Sequence, residues 1–587
     1  MPEKNIIAEL KNVTYTHWNH TEPTLVDISL QLKQGTLNVL VGPGGSGKST
    51  LCDLLNGRIP KLLGGKLEGQ VLIDGLDTSK TEVKELSRKV GSVSQDPETM
   101  FATLYVEDEI AFGPENLLMD VNEIRCTVEE LLDATQLRPQ RRNLVWELSG
   151  GQVQKLGLAT ALAMKPSLVI LDEPTANLDP IAARNVYELV LTLRERGMTI
   201  LLVIRELDEF LSCADQLIVL ENGKLLSAGT PQQVLKEHGE TMVSTLGVWL
   251  PETTELSLRL MRDSLVKYDK VPISVHDTID LLDKNHLLER GLTTPTTATE
   301  SITAVSEPST LIQARNLDFY YVNGTHALQD VSFEVHSGEM LAIVGRNGAG
   351  KSTLAKLMVG LLRPQMGELT LFGKPAKSWK VEELANNIAL VFQNPEHQFL
   401  TDKVWDEIDY SLLARNITEP KIRNQMIHDA LTRLDLGAVS EKHPFSLSAG
   451  MKRRLGVATM LVCRPQILLV DEPTYGQDKQ MTQKLMQLME EIRSEGIAVV
   501  MITHDMRLVQ EYAQRVLVMS EGKILFDGQP QGLFSRDNVL QAANLHKTVL
   551  HELVTALSAR GIKISGEIRT TSDFIKALAH NIEVVHG

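Results

Sequence analysis

The sequence predicts an α/β protein written twice: two tandem P-loop nucleotide-binding domains, each with a helical insertion and a small C-terminal accessory domain. Three observations carry that prediction. The pattern G-x-x-x-x-G-K-[ST] occurs at Gly345–Thr353 (GRNGAGKST) and again at Gly42–Thr50 (GPGGSGKST). In the second copy an apolar run, Met340 to Val344, leads in and a helix-like segment, Thr353 to Leu362, leads out, which is the context the pattern needs. Further landmarks then repeat in one order. Lys48 pairs with Lys351, Gln95 with Gln393, Ser149 with Ser448 and Asp172 with Asp471, at an offset of 298 to 303 residues.

A chain of 587 residues is too long for one core. The expected division is residues 1–240 for the first P-loop domain, 241–290 for its accessory domain, 291–310 for a flexible linker, 311–537 for the second P-loop domain and 538–587 for its accessory domain. Hydrophobic content of 43% with 23% charged residues describes folded material. The net charge of −16, from 59 basic and 75 acidic residues, argues against a broad nucleic-acid footprint. Cys52, Cys126, Cys213 and Cys463 form no C-x-x-C pair, which speaks against a zinc module, an iron–sulfur cluster or a disulfide framework and suits a reducing cytoplasm. The N-terminus MPEKNIIAELKN carries charges where a signal peptide needs an apolar core. Apolar runs such as Thr199 to Ile204 are far shorter than the roughly 20 residues of a membrane span, so the chain is expected to be soluble or to ride on a membrane by holding another chain.

Taken in order, each half opens with β-type segments, Ile7 to Tyr15 and Leu311 to Tyr321, before its P-loop strand. Buried strands and amphipathic helices then alternate, as in a layered domain with a mostly parallel sheet. Leu168 to Leu171 ending in Asp172-Glu173, and Ile467 to Val470 ending in Asp471-Glu472, read as twin central strands. Helix-rich insertions fill roughly Asp96 to Ala163 and Asn394 to Val462. Each half ends in a tail of mixed helix and short strand, and GLTTPTTATESITAVSEPST between the halves reads as the linker.

The P-loops carry the first chemistry. Gly42, Gly44, Gly45 and Gly47, and Gly345, Gly348 and Gly350 beside Asn347, let backbone N–H groups converge on phosphate oxygens. Each following helix adds its positive N-terminus. Lys48 and Lys351 can reach the β- and γ-phosphates, with Thr50 and Thr353 behind them, and the Ser49 and Ser352 hydroxyls can ligate Mg²⁺. ATP and Mg²⁺ are the implied cofactors.

LSGGQ at Leu148 to Gln152 opens a helix in the first half, and LSAGMKRR at Leu447 to Arg454 takes its place in the second. Ser149, Gly150, Gly151 and Gln152, and Ser448 and Gly450, offer a hydroxyl, N–H groups and a helix dipole to a phosphate, although a Gly pair at a cap can also be only a turn. In LVILDEP and ILLVDEP the strand delivers two carboxylates beside the P-loop. Asp172 and Asp471 suit the Mg²⁺ shell, and Glu173 and Glu472 are placed to polarise the attacking water. Gln95 and Gln393, each after a strand, can touch Mg²⁺ and water; the plain alternative is a polar loop residue. His504 follows AVVMIT and is a candidate γ-phosphate contact. At the same place the first half has Arg205 or Glu206, depending on a one-residue alignment choice. His17 and Tyr321 align ahead of the P-loops, where they either stack on adenine or serve as ordinary strand-face side chains.

P-loop, Gln, LSGGQ, Asp-Glu and His in this order resemble the ATPase subunits of ABC transporters. QDPETMFATLYVEDEIAFGPENL (Gln95 to Leu117), QNPEHQFLTDKVWDEIDYSLL (Gln393 to Leu413), DEPTYGQD (Asp471 to Asp478) and the tails narrow the resemblance to energy-coupling-factor (ECF) importers, with both ATPases fused. The resemblance implies a transmembrane coupling protein and a small membrane protein that captures a vitamin, a vitamin precursor or a metal ion. It places the chain peripherally on the cytoplasmic face of the cell membrane. It also implies that the halves pair head to tail, each ATP lying between one P-loop and the other half's signature. Met100 stands where the family has a second Gln, Arg205 replaces the switch His, and Ala449 and Met451 alter the second signature. These departures make the Lys351 site the consensus one and the Lys48 site the degenerate one. The acids Glu107, Asp108 and Glu109 are either contacts for a basic helix of the membrane partner or a wet helix face. The competing reading is a tandem ATPase acting on the ribosome as a translation factor, which the short, uncharged linker core and acidic total disfavour.

Overall fold

The computed structural model describes residues 5–18, 20–176, 178, 180–207, 210–288, 292–293, 309–474, 477–562, 564–565 and 567–586. Two compact units divide the chain, Met1–Leu281 and Leu282–Gly587.

In the first unit a six-stranded sheet runs in the order Lys224–Gly229, Gln216–Glu221, Leu37–Val41, Thr199–Val203, Leu168–Asp172, Val90–Val93. All neighbours pair parallel except the antiparallel edge strand Lys224–Gly229. The interior strands are covered on both faces, so they read as near-continuous apolar runs. The exception in Leu37–Val41 is Asn38, whose buried amide donates to the carbonyls of Thr36 and Ile200. One face of the sheet packs Leu40 and Ile170 against the P-loop helix Lys48–Leu55 and an antiparallel sheet, through Leu54, Leu10 and Leu30. That second sheet, in the order Leu25–Lys33, Ile6–Thr16, Lys66–Ile73, Leu76–Asp77, was legible only as opening β-type segments. The other face packs Val39 and Leu202 against helices Gly150–Leu162, Pro180–Glu195 and Pro231–Ser244, through Leu158, Val190 and Val234.

The second unit repeats the plan. Its parallel sheet runs Ile388–Val391, Ile467–Asp471, Ala498–Ile502, Met340–Val344, Arg515–Ser520, with Lys523–Gly528 antiparallel at the edge. Its antiparallel sheet runs His326–His336, Thr310–Tyr320, Met366–Leu371, Lys374–Pro375. The insertions are helices Val106–Asn116, Val121–Ala134 and Gly150–Leu162, and Val404–Leu413, Pro420–Arg433 and Ala449–Leu461.

The boundaries differ from the expected ones. Helix Pro231–Ser244 runs past residue 240, so the first tail begins with Val248 and Leu250 packed on the main core rather than at a break. Leu292–Thr293, expected in the linker, forms a parallel pair with Ile564–Ser565 of the second tail, while 294–308 lie outside the described residues. The tails themselves match in plan: Glu252–Arg262 and Val275–Lys284 in the first, Val549–Ala559 and Thr571–His586 in the second.

The acidic run at Glu107 to Glu109 is mostly committed internally. Glu107 pairs with Arg141 at 2.5 Å. Glu109 is buried and its Oε2 accepts from the amides of Ala102 and Thr103 and from the Thr103 hydroxyl at 2.7–3.0 Å. Glu407 does the same for Leu400 and Thr401. The physical reason is that each insertion helix begins under an irregular loop whose amides need an acceptor. Asp108 alone of the three stays exposed.

Candidate functional site

Each P-loop leaves an interior strand and enters a helix, Lys48–Leu55 in the first half and Lys351–Met358 in the second. Only glycine fits where the loop departs: a Cβ on Gly42 would lie 2.3 Å from the Leu220 carbonyl oxygen, and one on Gly345 would lie 2.1 Å from that of Met519. At Gly44, Gly45 and Gly348, by contrast, a Cβ would meet nothing within 4 Å, so this face of the loop is open. Lys48 Nζ donates to the carbonyls of Gly42 and Pro43 at 2.7 and 2.9 Å, and Lys351 Nζ to those of Gly345 and Arg346 at 2.6 and 3.0 Å. A cation, a helix N-terminus and an open glycine face converge in both halves, which fits a polyphosphate. Asn347 is exposed on the loop beside Arg346, which is paired with Glu521.

The carboxylate pairs follow their strands. Burial pushes the Asp172 carboxyl up; a hydrogen bond from Ser49 opposes this and the neighbouring Glu173 charge adds to it. The Asp471 carboxyl is pushed up to about 6, by burial first and then by Glu472, against the pull of Arg453 and Lys351. A partly desolvated carboxylate beside a serine hydroxyl and a P-loop is a donor set that fits Mg²⁺. Glu173 and Glu472 take the left-handed backbone region, with φ of 51° and 48°. Their amides donate to the carbonyls of Val203 and Ile502 at 2.9 and 2.8 Å. A non-glycine residue held in that region carries a backbone cost, and both halves keep it at the same place.

Those two amide bonds settle the alignment: Arg205, not Glu206, is the counterpart of His504, each lying two residues beyond the accepting carbonyl. Arg205 grips Glu173 with Nε to Oε1 at 2.8 Å and Nη2 to Oε2 at 2.7 Å. His504 Nδ1 lies 2.9 Å from Oε1 of Glu472, and the Thr503 hydroxyl 3.4 Å from Oε2.

Ser149 caps helix Gly150–Leu162, and the Gln152 side chain returns to accept from the Ser149 amide at 2.8 Å, completing a capping box. In the second half Ser448 Oγ accepts from the Met451 amide at 3.4 Å, but Met451 offers no oxygen for the return bond. Gly150 has room for a Cβ, 3.6 Å from Leu178, whereas one on Gly151 would press on Ala182 at 2.9 Å and one on Gly450 would sit 3.3 Å from Met481. His17 and Tyr321 take equivalent places: His17 Nε2 lies 3.4 Å from Thr50 Oγ1 and the Tyr321 hydroxyl 3.1 Å from Thr353 Oγ1. Gln95 and Gln393 lie two residues beyond strands Val90–Val93 and Ile388–Val391; both are exposed and, among the described residues, bonded to neither carboxylate pair. Met100 Sδ accepts from the Ser94 hydroxyl at 3.0 Å instead of offering an amide.

One residue escaped the sequence reading. Arg453, almost wholly buried, donates to the carbonyls of Phe392 and Gln393 at 2.5 and 2.8 Å, of Asp471 at 2.8 Å and of Glu472. It joins the signature helix to both segments that frame the second site. Its signal was a charge in helical register with Gly450, Val457 and Leu461, hidden because its twin is Gln154.

The comparisons with known proteins agree with this geometry. The ABC transporter family model matches residues 25–176 and 328–475, one P-loop, signature and Asp-Glu strand each. This chain belongs to the ABC transporter ATPase family. A Bacillus subtilis (strain 168) protein, provisionally named the HMP/thiamine import ATP-binding protein YkoD, is 37% identical over 93% of this chain and 96% of its own length. A Methanosarcina mazei protein, provisionally named an ABC transporter ATP-binding protein, is 34% identical over 99% of each chain. The solved structure of cbiO1 from Clostridium perfringens, described as part of the ABC transporter complex cbiONQ, aligns with 42% of this chain and 99% of its own at 32% identity, with a TM-score of 0.37. The chain is thus a tandem ABC ATPase that binds ATP and uses Mg²⁺, and no helix among the described residues is long and apolar enough to cross a membrane.

Proposed function

We propose that this ABC ATPase is the energising subunit of an ECF-type importer for a vitamin, a vitamin precursor or a transition-metal ion. It would work at the cytoplasmic face of the membrane with a transmembrane coupling protein and a small substrate-capturing membrane protein. The observation that carries the reading is the QNPEHQF…VWDEIDY stretch, and the full-length similarity to an HMP/thiamine import ATP-binding protein supports it. Exposed apolar side chains beside that stretch in both halves, Leu104, Tyr105 and Trp146, and Leu400, Tyr410 and Phe445, favour a protein contact there. Co-purification with two membrane proteins, lost in Asp108→Lys, tests the assignment. Recovery with ribosomes instead of membranes would overturn it.

The two nucleotide sites work unequally in this reading, and the halves close head to tail on ATP. Mg²⁺, when bound, neutralises the β- and γ-phosphate charge. In the second site Lys351 and the loop amides hold the phosphates, Glu472 takes the proton of the attacking water, and His504 orients that carboxylate. The intact LSGGQ of the first half is assigned to this site, and LSAGM to the other. Glu472→Gln is expected to lower ATP turnover about 100-fold or more, and Glu173→Gln to lower it far less. Equal losses, read as phosphate release from the purified full chain, would remove the asymmetry.

A further inference from the structure

The first-half site keeps nearly everything it needs. Its P-loop, Lys48, the Ser49–Asp172 contact and Glu173 are all in place. Besides Met100, this half differs at the pair of residues after strand Thr199–Val203: Ile204-Arg205 stands where the second half has Thr503-His504. This substitution changes how the carboxylate is held. Both oxygens of Glu173 lie in the fork of one guanidinium, at 2.7 and 2.8 Å, with the Glu173 side chain only 10% exposed and that of Arg205 30%. One charge-assisted hydrogen bond and a second ion-pair contact tie the carboxylate to a single guanidinium, and water screens the pair little where it is mostly buried. Arginine also cannot shed its charge.

We propose that Arg205 is a lock on Glu173: a positioning residue whose guanidinium, bonded to one carboxylate oxygen and in ion-pair contact with the other, holds the group in place, so that the first site binds and keeps MgATP without turning it over. The reaction withheld is in-line attack of water on the γ-phosphorus. The O–H proton would pass to Glu173 and the bond from the γ-phosphorus to the β,γ-bridging oxygen would break. Held against Arg205, the carboxylate is not free to turn toward that water. The site loses its base without losing the base's residue, and ATP retention, which depends on Lys48 and the loop amides, survives. This deepens the unequal-sites reading and rests on it.

The test uses the full chain carrying Glu472→Gln, loaded with radiolabelled MgATP, and follows conversion of bound ATP to ADP in a single turnover. Adding Ile204→Thr and Arg205→His is expected to speed conversion of one of the two bound nucleotides about tenfold or more, and adding Glu173→Gln to cancel the gain. Arg205→Gln alone, which only frees the carboxylate, is expected to move the rate the same way with retained ATP unchanged. If neither variant speeds conversion, or if Arg205→Gln slows it and lets ATP escape, Arg205 is a γ-phosphate contact and the lock is wrong. Failure of the underlying reading looks different: Glu472→Gln by itself would leave steady turnover near that of the unmodified chain.

Discussion

A carboxyl held at about 6 sets the pH range of the second site. The Asp471 value lies above the ordinary carboxylate range because burial and Glu472 favour the proton in the metal-free site. Metal affinity is therefore complete above about pH 6 and lost as the pH falls through it. The Mg²⁺ concentration for half-saturation of nucleotide binding is expected to rise about tenfold per pH unit below that point, and Asp471→Asn to remove the slope. A titration with a fluorescent ATP analogue between pH 7.5 and 5 checks both. Glu109 gives a stability prediction of the same grain. Its buried carboxylate accepts from three donors of the loop, so Glu109→Ala is expected to cost about 2–4 kcal/mol, read from urea unfolding. A surface acid would cost almost nothing.

At the scale of the element, the two glycines that open the first-half signature helix differ in clearance. Gly151 faces the helix Pro180–Glu195, where an added methyl would press on the Cβ of Ala182. Gly150 has room for a methyl in ordinary contact with Leu178, and its counterpart is already alanine, Ala449. Gly151→Ala is expected to lose about 1–3 kcal/mol by calorimetry while Gly150→Ala stays near the parent. If Gly150→Ala nonetheless slows turnover, the missing space is on the ATP rather than in the fold. The insertion helices show the same economy: the glutamates that open them serve their own loops, while apolar residues around them stay exposed.

The whole molecule raises the question of how two such units act together. If they close head to tail, cysteines placed at Ser149 and Asn347 in a chain freed of Cys52, Cys126, Cys213 and Cys463 should form a disulfide only with MgATP bound. Mass spectrometry of the cross-link within a single chain decides this. The absence of a cross-link in protein shown to hold two nucleotides would end the composite-site scheme. Each tail is also wired to its own switch region. The Leu207 amide donates to the Trp249 carbonyl just after Arg205, and Gln510, on the helix after His504, donates to the Arg569 carbonyl.

What the sequence determined by itself was the set of local rules. Glycine spacing, apolar runs and the Asp-Glu ends write the P-loops and central strands directly, because backbone clearance and burial are satisfied within a few residues. The repeat then fixed the order of the two halves. Tertiary structure alone decided what depends on neighbours distant in the chain. It chose Arg205 over Glu206, through an amide on Glu173 and a carbonyl on Val203 some thirty residues away. It turned Glu109 inward, and it buried Arg453 among four carbonyls from two other segments. A charge in a sequence is silent about its partner, since the energy that assigns it comes from whichever unsatisfied group the fold brings within reach.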